Sequence, residues 1–390
     1  MDKIYELPEK NYIVPARLRE ARQARLYTLS EVATLVGISA QAVSQYELGT
    51  NKPSIAVLNK LSIVLDVPIT FFQKPYEKEN YVASAVYYRS TKNTPKKMKE
   101  ACRTRIQWVN EIYRFTQNYI DYPACNLPDI SRFLKDDLED EDIEIIAAYV
   151  REYWDLGNGP IVNLVSVLQS KGIVISRTEI GTKKVDAYSA WYGGVPYIIL
   201  GSDKQSACRS RFDLAHELGH LLLHTNIEDD DLKSSEIQDK IEKQAHYFAG
   251  AFLLPRETFS KDLISTSIEQ FKFLKTKWKV SIAAMAKRAK NLGIITENQE
   301  RYVYVTLNKM GGKRTEPLDD RIPFEKPYLF KQAFSLLLQN KIFTKESLLE
   351  ELALSKKELE SLLFLPPEIL GEEKKEVIQP KLKLIKFSSD

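Results

Sequence analysis

The strongest constraint in this sequence is a His-Glu-x-x-His pattern at residues 216–220, inside an apolar run. On a helix, His216 and His220 lie one turn apart on the same face, so both imidazoles can reach one metal ion. Ring nitrogens bind zinc at about 2.0–2.1 Å. Glu217 follows the first histidine and can act as general base toward a metal-activated water. The pattern therefore predicts a catalytic zinc site with His216 and His220 as ligands and Glu217 as the catalytic residue.

The alternative is two ordinary helix histidines beside a surface glutamate, since a five-residue pattern also occurs by chance. Three features favour the metal site. The chain has only 4 histidines, and three of them fall in the stretch 216–224. The flanking residues are those of a buried helix. Gly219 costs about 1 kcal/mol relative to alanine in a helix interior, which predicts that another element packs closely against it.

The composition is that of an ordinary globular chain, and its length of 390 residues favours two or three domains. A net charge of +3 is too small to indicate nucleic-acid binding by itself. The 3 cysteines are an odd number without paired spacing, which argues against a disulfide framework and for a reducing compartment. The sequence shows no signal peptide and no membrane-spanning stretch. We therefore expect a cytoplasmic protein without a membrane partner.

Residues 12–73 are predicted to form a compact unit of five helices. Thr28 and Glu31 have the spacing of a capping box at the start of the second helix, Gly37 ends that helix, and Ser39 caps the third. Two short helices joined at a glycine are typical of a helix-turn-helix, whose second helix enters the DNA major groove. The side chains expected at or near the base edges are those of Ala40, Gln41, Ser44 and Gln45. The alternative is a small helical bundle that contacts proteins.

This unit resembles the Xre and lambda-repressor-like class of helix-turn-helix domains. The resemblance rests on the pattern Leu29-x-x-Val32-Ala33-x-x-Val36-Gly37-Ile38-Ser39-x-x-Ala42-Val43-Ser44-Gln45-Tyr46-Glu47-x-Gly49. It implies binding to double-stranded operator DNA. Because such units usually act as pairs on palindromic sites, a homodimer is also expected.

Residues 74–138 are predicted to be a basic helical connector. Between residues 89 and 114, lysines and arginines outnumber the two acidic residues Glu100 and Glu111. These charges can add sequence-independent contacts to DNA phosphates, or they can form the solvated face of a connecting helix. Apolar residues such as Ile106 and Val109 predict a packed helix rather than a flexible tether.

Residues 139–295 change from a helical to a β pattern and back. The segments 173–175, 185–192 and 196–200 are rich in β-branched and aromatic residues. Gly193-Gly194 predicts a hairpin turn between the last two segments. We therefore expect a small antiparallel sheet before the metal-binding helix. Such a sheet can line the cleft and offer its edge to an extended peptide.

A catalytic zinc needs a third protein ligand, and more than one residue is a candidate. His224 lies about 12 Å along the helix axis from His216, so it is expected at the helix end or behind the ligands. Glu242 lies on or near the core face of the next amphipathic helix, 237–254, where an unpaired charge would be costly. His246, one turn further on, competes with Glu242 for the ligand role.

Four separated motifs resemble the ImmA/IrrE family of zinc metallopeptidases. They are Leu156-Gly157-x-Gly159-Pro160, Asp186-Ala187-Tyr188-Ser189, Arg211-Phe212-Asp213-Leu214-Ala215-His216-Glu217-Leu218-Gly219-His220 and Glu242-x-x-Ala245-x-x-Phe248-Ala249-x-x-x-Leu253-Leu254-Pro255. The resemblance implies His216, His220 and Glu242 as zinc ligands and Glu217 as the catalytic residue. The family usually has asparagine where this chain has His246. The candidates for a transition-state donor or a supporting residue are Tyr188, His224 and His246.

The resemblance further implies cleavage of partner regulators, often repressors of the same helix-turn-helix class. We therefore expect an α+β multidomain protein: an N-terminal all-α helix-turn-helix domain, a zincin-like metallopeptidase domain, and a mainly helical region at 296–390 whose role is unassigned. Within that last region, 301–305 is expected to be a strand.

The expected function is a DNA-binding transcriptional regulator whose zinc endopeptidase cleaves a partner repressor. The rival expectation is a transcriptional repressor, or an antitoxin-like partner of a toxin, whose metal site is structural or sensory and cuts no peptide.

Overall fold

The computed structural model describes residues 12–76, 86–90, 95–135, 137–180, 185–202, 206–228, 230–311 and 315–371. Within these ranges the chain is an α+β protein, as predicted, with helices at both ends and one sheet in the middle. The last part of the predicted C-terminal region, 372–390, lies outside the described residues. Among the residues described, no helix has both the length and the apolar character needed to cross a bilayer.

The N-terminal unit contains the five predicted helices. They are α1 (Pro15–Ala24), α2 (Leu29–Val36), α3 (Ala40–Leu48), α4 (Ile55–Leu65) and α5 (Ile69–Gln73). The predicted capping box is present, because Thr28 and Glu31 each accept a hydrogen bond from the other's backbone N–H. Gly37 ends α2 in the left-handed region at φ 79°, and the Ser39 side chain caps α3. The turn between α2 and α3 therefore has the chemistry that the sequence predicted.

The long helix of the predicted connector packs into the fold. Helix α6 (Lys96–Gln117) packs on α1 through the carboxylate of Glu20, which accepts hydrogen bonds from Arg17, Gln107 and Trp108. Arg105 of α6 also donates to the carbonyl oxygen of Ala24. Helix α6 therefore packs against the helix-turn-helix unit, as the apolar residues of this segment predicted.

The sheet has four strands in the order β1-β3-β4-β2, which are β1 (Tyr87–Ser90), β2 (Val174–Thr178), β3 (Val185–Tyr192) and β4 (Val195–Gly201). The predicted hairpin joins β3 to β4, and Gly193 and Gly194 both have positive φ, as a tight hairpin turn requires. The expectation of a purely antiparallel sheet is wrong, because β2 pairs with β4 in parallel. Strand β1, from the connector, was not predicted.

The helices around the sheet are α7 (Asp140–Tyr153), α8 (Leu164–Ser170), α9 (Ala207–Leu223), α10 (Ser235–Leu253), α11 (Arg256–Asp262), α12 (Ile268–Trp278), α13 (Ile282–Asn291) and α14 (Glu297–Met310). The expected strand at 301–305 is wrong, since these residues lie inside α14. A capping box between Thr296 and Gln299 starts this helix. Val303 and Leu307 then bury their side chains one helical turn apart, so tertiary packing overrides the local β preference of this stretch.

The C-terminal region is helical, as predicted, with α15 (Leu329–Gln339), α16 (Lys345–Leu352), α17 (Lys356–Leu363) and α18 (Pro367–Leu370). The segment before α15 supports the central helices. Glu316 pairs with the buried Lys275, and Glu325 accepts from the backbone N–H of Leu164 and pairs with Arg211 of α9. The region therefore buttresses the helix that carries the His-Glu-x-x-His motif.

Two apolar cores lie on opposite faces of the sheet. The first joins the helix-turn-helix unit, α6, one sheet face and α15–α18. The second joins the other sheet face to α7–α10 and the helices up to α14. The domain limits 12–73, 74–138, 139–295 and 296–390 stay a prediction, and the first core crosses all of them.

Candidate metal centre and recognition helix

Helix α9 carries the motif through the second core. Every residue of α9 except Arg209 is buried. The predicted close contact at Gly219 is present, because a Cβ there would lie 3.1 Å from Phe248 Cδ1 and 3.2 Å from Ala245 Cα. Only glycine lets α10 approach this closely. The missing side chain therefore brings Glu242 on α10 toward the two histidines on α9.

His216, His220 and Glu242 converge on one point. Their ligand atoms all lie within 4.8 Å of one another, and among the described residues no other group of His, Cys, Asp or Glu meets this criterion. The two Nε2 atoms are 3.1 Å apart. The Glu242 carboxylate lies 3.3 Å from His216 Nε2 and 3.4 Å from His220 Nε2. The three residues therefore form one candidate metal centre.

The spacing of these atoms suits zinc. Ligands at about 2.0–2.1 Å from a tetrahedral ion lie roughly 3.3 Å from each other, which is close to the three separations in the structure. Two imidazole nitrogens and one carboxylate oxygen are also donors that zinc commonly takes. Partial burial opposes ionisation of Glu242, but hydrogen bonds with His216 and His220 outweigh it and hold the pKa of Glu242 below its usual range. The donor set is therefore ready to bind a cation.

Behind the ligands, a chain of hydrogen bonds orients His220. Gln244 Nε2 donates to the carbonyl oxygen of Leu138, which turns Gln244 Oε1 toward His224 Nε2 at 3.1 Å. Burial, with a smaller effect from His220, lowers the pKa of His224 to about 3, so this ring is neutral. With its proton on Nε2, His224 accepts through Nδ1 from His220 Nδ1, 3.0 Å away. The lone pair of His220 Nε2 then faces the metal centre.

Glu217 extends from α9 toward the sheet. Its side chain is buried, and its Oε2 accepts a hydrogen bond of 2.5 Å from the Ser189 hydroxyl on β3. The sequence did not assign this role to Ser189, although the residue belongs to one of the motifs quoted for the ImmA/IrrE resemblance. A serine at this point of β3 fixes the orientation of the glutamate.

Tyr188 lies on the opposite face of the sheet from Ser189, because neighbouring residues of a strand point to opposite sides. Its side chain belongs to the first core, with α6, whereas Ser189 faces α9. This position does not support the predicted role of Tyr188 as a transition-state donor at the metal centre. Tyr87 on β1, which the sequence did not single out, stacks on the His220 ring at 4.8 Å between centroids.

His246 lies beside the centre without joining the three converging atoms. Its ring packs against Phe212 at 4.9 Å and against His216 at 6.5 Å between centroids. His224 is the C-cap residue that follows Leu223 at the end of α9, and its ring contacts His220 Nδ1. The geometry thus favours Glu242 over His246 as third ligand and leaves His246 as a neighbour of the open side.

The predicted DNA-facing residues lie on α3. Gln41 is exposed, whereas Ala40, Ser44 and Gln45 are half-buried. On the opposite side of this helix, Val43 and Tyr46 enter the core and Glu47 binds Arg22 of α1. Helix α3 therefore presents one face outward. Gln41 lies at the N-terminal end of this face and is exposed.

Sequence comparisons agree with both motifs. Residues 168–290 match the family model of the IrrE N-terminal-like domain, peptidase M78, and residues 18–72 match the helix-turn-helix model. The chain is 29% identical to the uncharacterized HTH-type transcriptional regulator RghRB of Bacillus subtilis (strain 168) over 134 residues, which cover 34% of this chain and 85% of that protein.

A second relative is the SPbeta prophage-derived uncharacterized HTH-type transcriptional regulator YonR of the same organism. It is 34% identical over 58 residues, which cover 15% of this chain and 54% of that protein. The family matches confirm the helix-turn-helix prediction and the resemblance to the ImmA/IrrE class at the level of the two domains.

Proposed function

We propose that this chain, a DNA-binding helix-turn-helix transcriptional regulator with an M78-peptidase-type domain, is a zinc-dependent endopeptidase that cleaves a partner regulatory protein. The observation that carries the proposal is the convergence of His216, His220 and Glu242 beside a glutamate held by the sheet. A structural metal site needs no such glutamate, whereas hydrolysis needs a base next to the metal.

His216, His220 and Glu242 would hold a zinc ion and leave it accessible to water or to a substrate carbonyl group. Zinc bound there supplies Lewis-acid activation of a water molecule and of the scissile carbonyl group. On its α10 side the centre is open, because the Glu242 side chain is 37% exposed. His220 is kept in the ligand tautomer by His224 and Gln244.

Glu217 is the general base in this proposal. Its carboxylate takes a proton from the attacking water and later gives a proton to the leaving amine. Ser189 is a positioning residue, because its hydroxyl holds Oε2 and so fixes the plane of the carboxylate. His246, whose ring centroid lies 6.5 Å from that of His216, is a candidate to donate a hydrogen bond to the negative charge of the tetrahedral intermediate.

The proposed substrate is a repressor of the same helix-turn-helix class. The helix-turn-helix unit places the peptidase domain at operator DNA, as a homodimer on a palindromic site. Selective cutting there relieves repression in the cytoplasm without general proteolysis. The contacts between α1 and α6 support joint action of the two domains, since Glu20 of α1 accepts hydrogen bonds from Gln107 and Trp108 of α6.

The test is co-expression of a candidate repressor with the wild type or with Glu217→Gln. We expect the repressor to disappear, and its target gene to be expressed, only with the wild type under inducing conditions. Glu217→Gln keeps the size and the hydrogen bond to Ser189 but loses the base. Equal survival of the repressor with both proteins, under every inducing condition tried, contradicts the proposal.

A second candidate is a repressor or antitoxin-like regulator whose metal stabilises the fold or senses a signal, with a toxin as its protein partner. The near-complete burial of α9 favours it, as that is how a structural site is built. In that case Glu217→Gln binds zinc, represses and responds to the signal as the wild type does. If Glu217→Gln retains zinc but no longer responds to the signal, the result supports the peptidase and contradicts this second candidate.

A further inference from the structure

Strand β1 lies at the edge of the sheet closest to the metal centre. It pairs antiparallel with β3, and Tyr87 is directly opposite Ser189, the residue that holds Glu217. Residues opposite each other on paired strands point to the same face. Tyr87 therefore faces α9 and the candidate metal centre.

Tyr87 contacts both helices that build the centre. Its ring stacks on His220 with an interplanar angle of 4°, and its hydroxyl donates to the carbonyl oxygen of His224 over 2.5 Å. The ring also packs with Ile241, the residue before Glu242. Its side chain is only 2% exposed. One residue of β1 therefore covers a ligand on α9 and contacts α10 beside the third ligand.

A protein substrate of a peptidase must present an extended backbone next to the catalytic glutamate. Extended peptides commonly bind by adding a strand to the free edge of a sheet. Here the strand next to Glu217 is β3, and the neighbouring position on its outer side is taken by β1. In the sequence, β1 lies between the helix-turn-helix unit and α6. The position next to β3 is therefore occupied by a segment of the same chain.

We infer that β1 is a built-in competitor for the substrate: the extended segment of the partner protein pairs antiparallel with β3 in the place of β1, and the residue that replaces Tyr87 faces the metal centre. This inference rests on the proposed function. It gives the site an autoinhibited state, in which β1 is paired and Tyr87 covers His220, and an open state, in which the edge of β3 accepts another chain.

The first arm of the test measures binding and needs no catalysis. The probe is a fluorescein-labelled synthetic peptide with the sequence of residues 84–93, and its binding to the zinc-loaded full-length chain is followed by fluorescence anisotropy. Tyr87→Ala removes the stacking and the hydrogen bond, so β1 leaves more easily. We expect Tyr87→Ala to bind the probe about tenfold or more tightly than the wild type. Tyr302→Ala, which removes a tyrosine that is 65% exposed on α14, is the control and leaves probe binding unchanged.

The second arm locks β1 in place. Arg89 and Ala187 are directly opposite each other, so Arg89→Cys with Ala187→Cys can form a cross-strand disulfide. The exposed Cys125 is changed to serine in this background. We expect the oxidised protein to bind the probe at least about tenfold more weakly than the same protein after reduction. Zinc content is measured in every sample, so that a change in the metal centre is distinguished from release of β1.

Equal probe binding by the oxidised and reduced lock, or no tighter binding by Tyr87→Ala with zinc retained, overturns the inference. If Tyr87→Ala does not fold, the lock alone decides. Cleavage assays on the same samples separate this inference from the proposed function. If the locked and the reduced protein cleave the partner equally, the role of β1 is refuted and the peptidase function is not. If the probe binds as expected but no partner protein is cleaved, the peptidase function is refuted and the competition by β1 is not.

Discussion

Helices α9 and α3 carry the two functional motifs of this chain, and they differ in how far the protein itself completes the site. In α9 every residue but Arg209 is buried, and its functional side chains contact β3, β1 and α10. In α3 only Val43, Tyr46 and Glu47 are buried, and the other face is turned outward. The candidate metal centre is therefore defined by internal contacts, whereas the recognition helix depends on a partner molecule.

The largest effect is expected from metal removal. A ligand at about a thousand times its dissociation constant stabilises a fold by about 4 kcal/mol. A chelator should therefore lower the unfolding free energy of the zinc-loaded protein by about 4 kcal/mol, because α9 and α10 lose the ion between them. Operator affinity, measured by mobility shift in the same buffer, should stay unchanged while the protein is folded. If the chelator weakens DNA binding of the folded protein as strongly as it lowers the unfolding free energy, then α3 also depends on the metal. That result contradicts the difference between the two helices.

The recognition helix belongs to a unit held by the buried Glu20 at α1 and α6. Burial raises the pKa of Glu20 to about 7, against the lowering effect of Arg17. Because the pKa is higher in the folded state than its ordinary value of 4.5, the stabilising contribution is complete below pH 4.5 and is lost as the pH rises through about 7. The loss amounts to about 3 kcal/mol at most.

Denaturation at several pH values tests this contribution. The unfolding free energy of Glu20→Gln minus that of the wild type should increase between pH 4.5 and 7. Glu141→Gln, at an exposed carboxylate on α7, is the control and should show no such increase. A difference that decreases over this pH range means that Glu20 is ionised and stabilising in the fold.

Two helix glycines test how α10 is placed against α9. Gly219→Ala puts a Cβ at 3.1 Å from Phe248 Cδ1, whereas Gly250→Ala on α10 meets its nearest atom, Arg288 Cδ, at 3.6 Å. Each substitution raises the helix propensity of its position, which should increase the unfolding free energy. In Gly219→Ala, overpacking against α10 should cancel this increase. We expect the two variants to differ by about 2 kcal/mol in unfolding free energy. Zinc affinity should fall only in Gly219→Ala, and equal behaviour of the pair contradicts the close contact.

Gln244→Ala tests the hydrogen bonds behind the ligands. Without Gln244 Oε1, His224 loses the acceptor that fixes its tautomer, and His220 is no longer oriented. We expect the dissociation constant for zinc to rise about 10- to 100-fold, as measured by competition with a chelating dye. Lys243→Ala, the exposed neighbour on α10, is the matched control and should bind zinc normally. Normal zinc affinity in Gln244→Ala shows that the ring of His220 is oriented by other contacts.

Gln41→Ala should act on DNA alone, and it gives the smallest effect. Loss of one base-edge contact is expected to reduce operator affinity by about 1–2 kcal/mol, with no change in zinc content or unfolding temperature. Asn59→Ala, exposed on α4, is the control. Unchanged affinity in Gln41→Ala, with binding still specific, moves base recognition to other residues of α3.

The sequence predicts the parts of this molecule that depend on local pattern. The α9 motif, the caps of α2 and α3 and the Gly193-Gly194 turn are all present, because each rests on residues within a few positions of one another. Glu242 was reached from the periodicity of its helix together with a family resemblance. Close packing at Gly219 was predicted from its cost in a helix.

Contacts between distant segments could not be predicted from one sequence. Ser189 meets Glu217, Tyr87 covers His220 and Gln244 supports His224 only because the fold brings separate elements together. The parallel pairing of β2 with β4 is also a tertiary property. The strand expected at 301–305 failed for the same reason, since burial of Val303 beside α13 decides the helix.

The central claim is that the candidate metal centre of α9 and α10 hydrolyses a peptide bond in a partner regulatory protein. Purified, zinc-loaded wild type and Glu217→Gln are incubated with purified helix-turn-helix repressors from the same cell, and the products are identified by mass spectrometry. We predict one discrete cut by the wild type and a rate about 10²- to 10⁴-fold lower with Glu217→Gln at equal zinc content. Equal rates for the two proteins, or intact repressors with both, would contradict it.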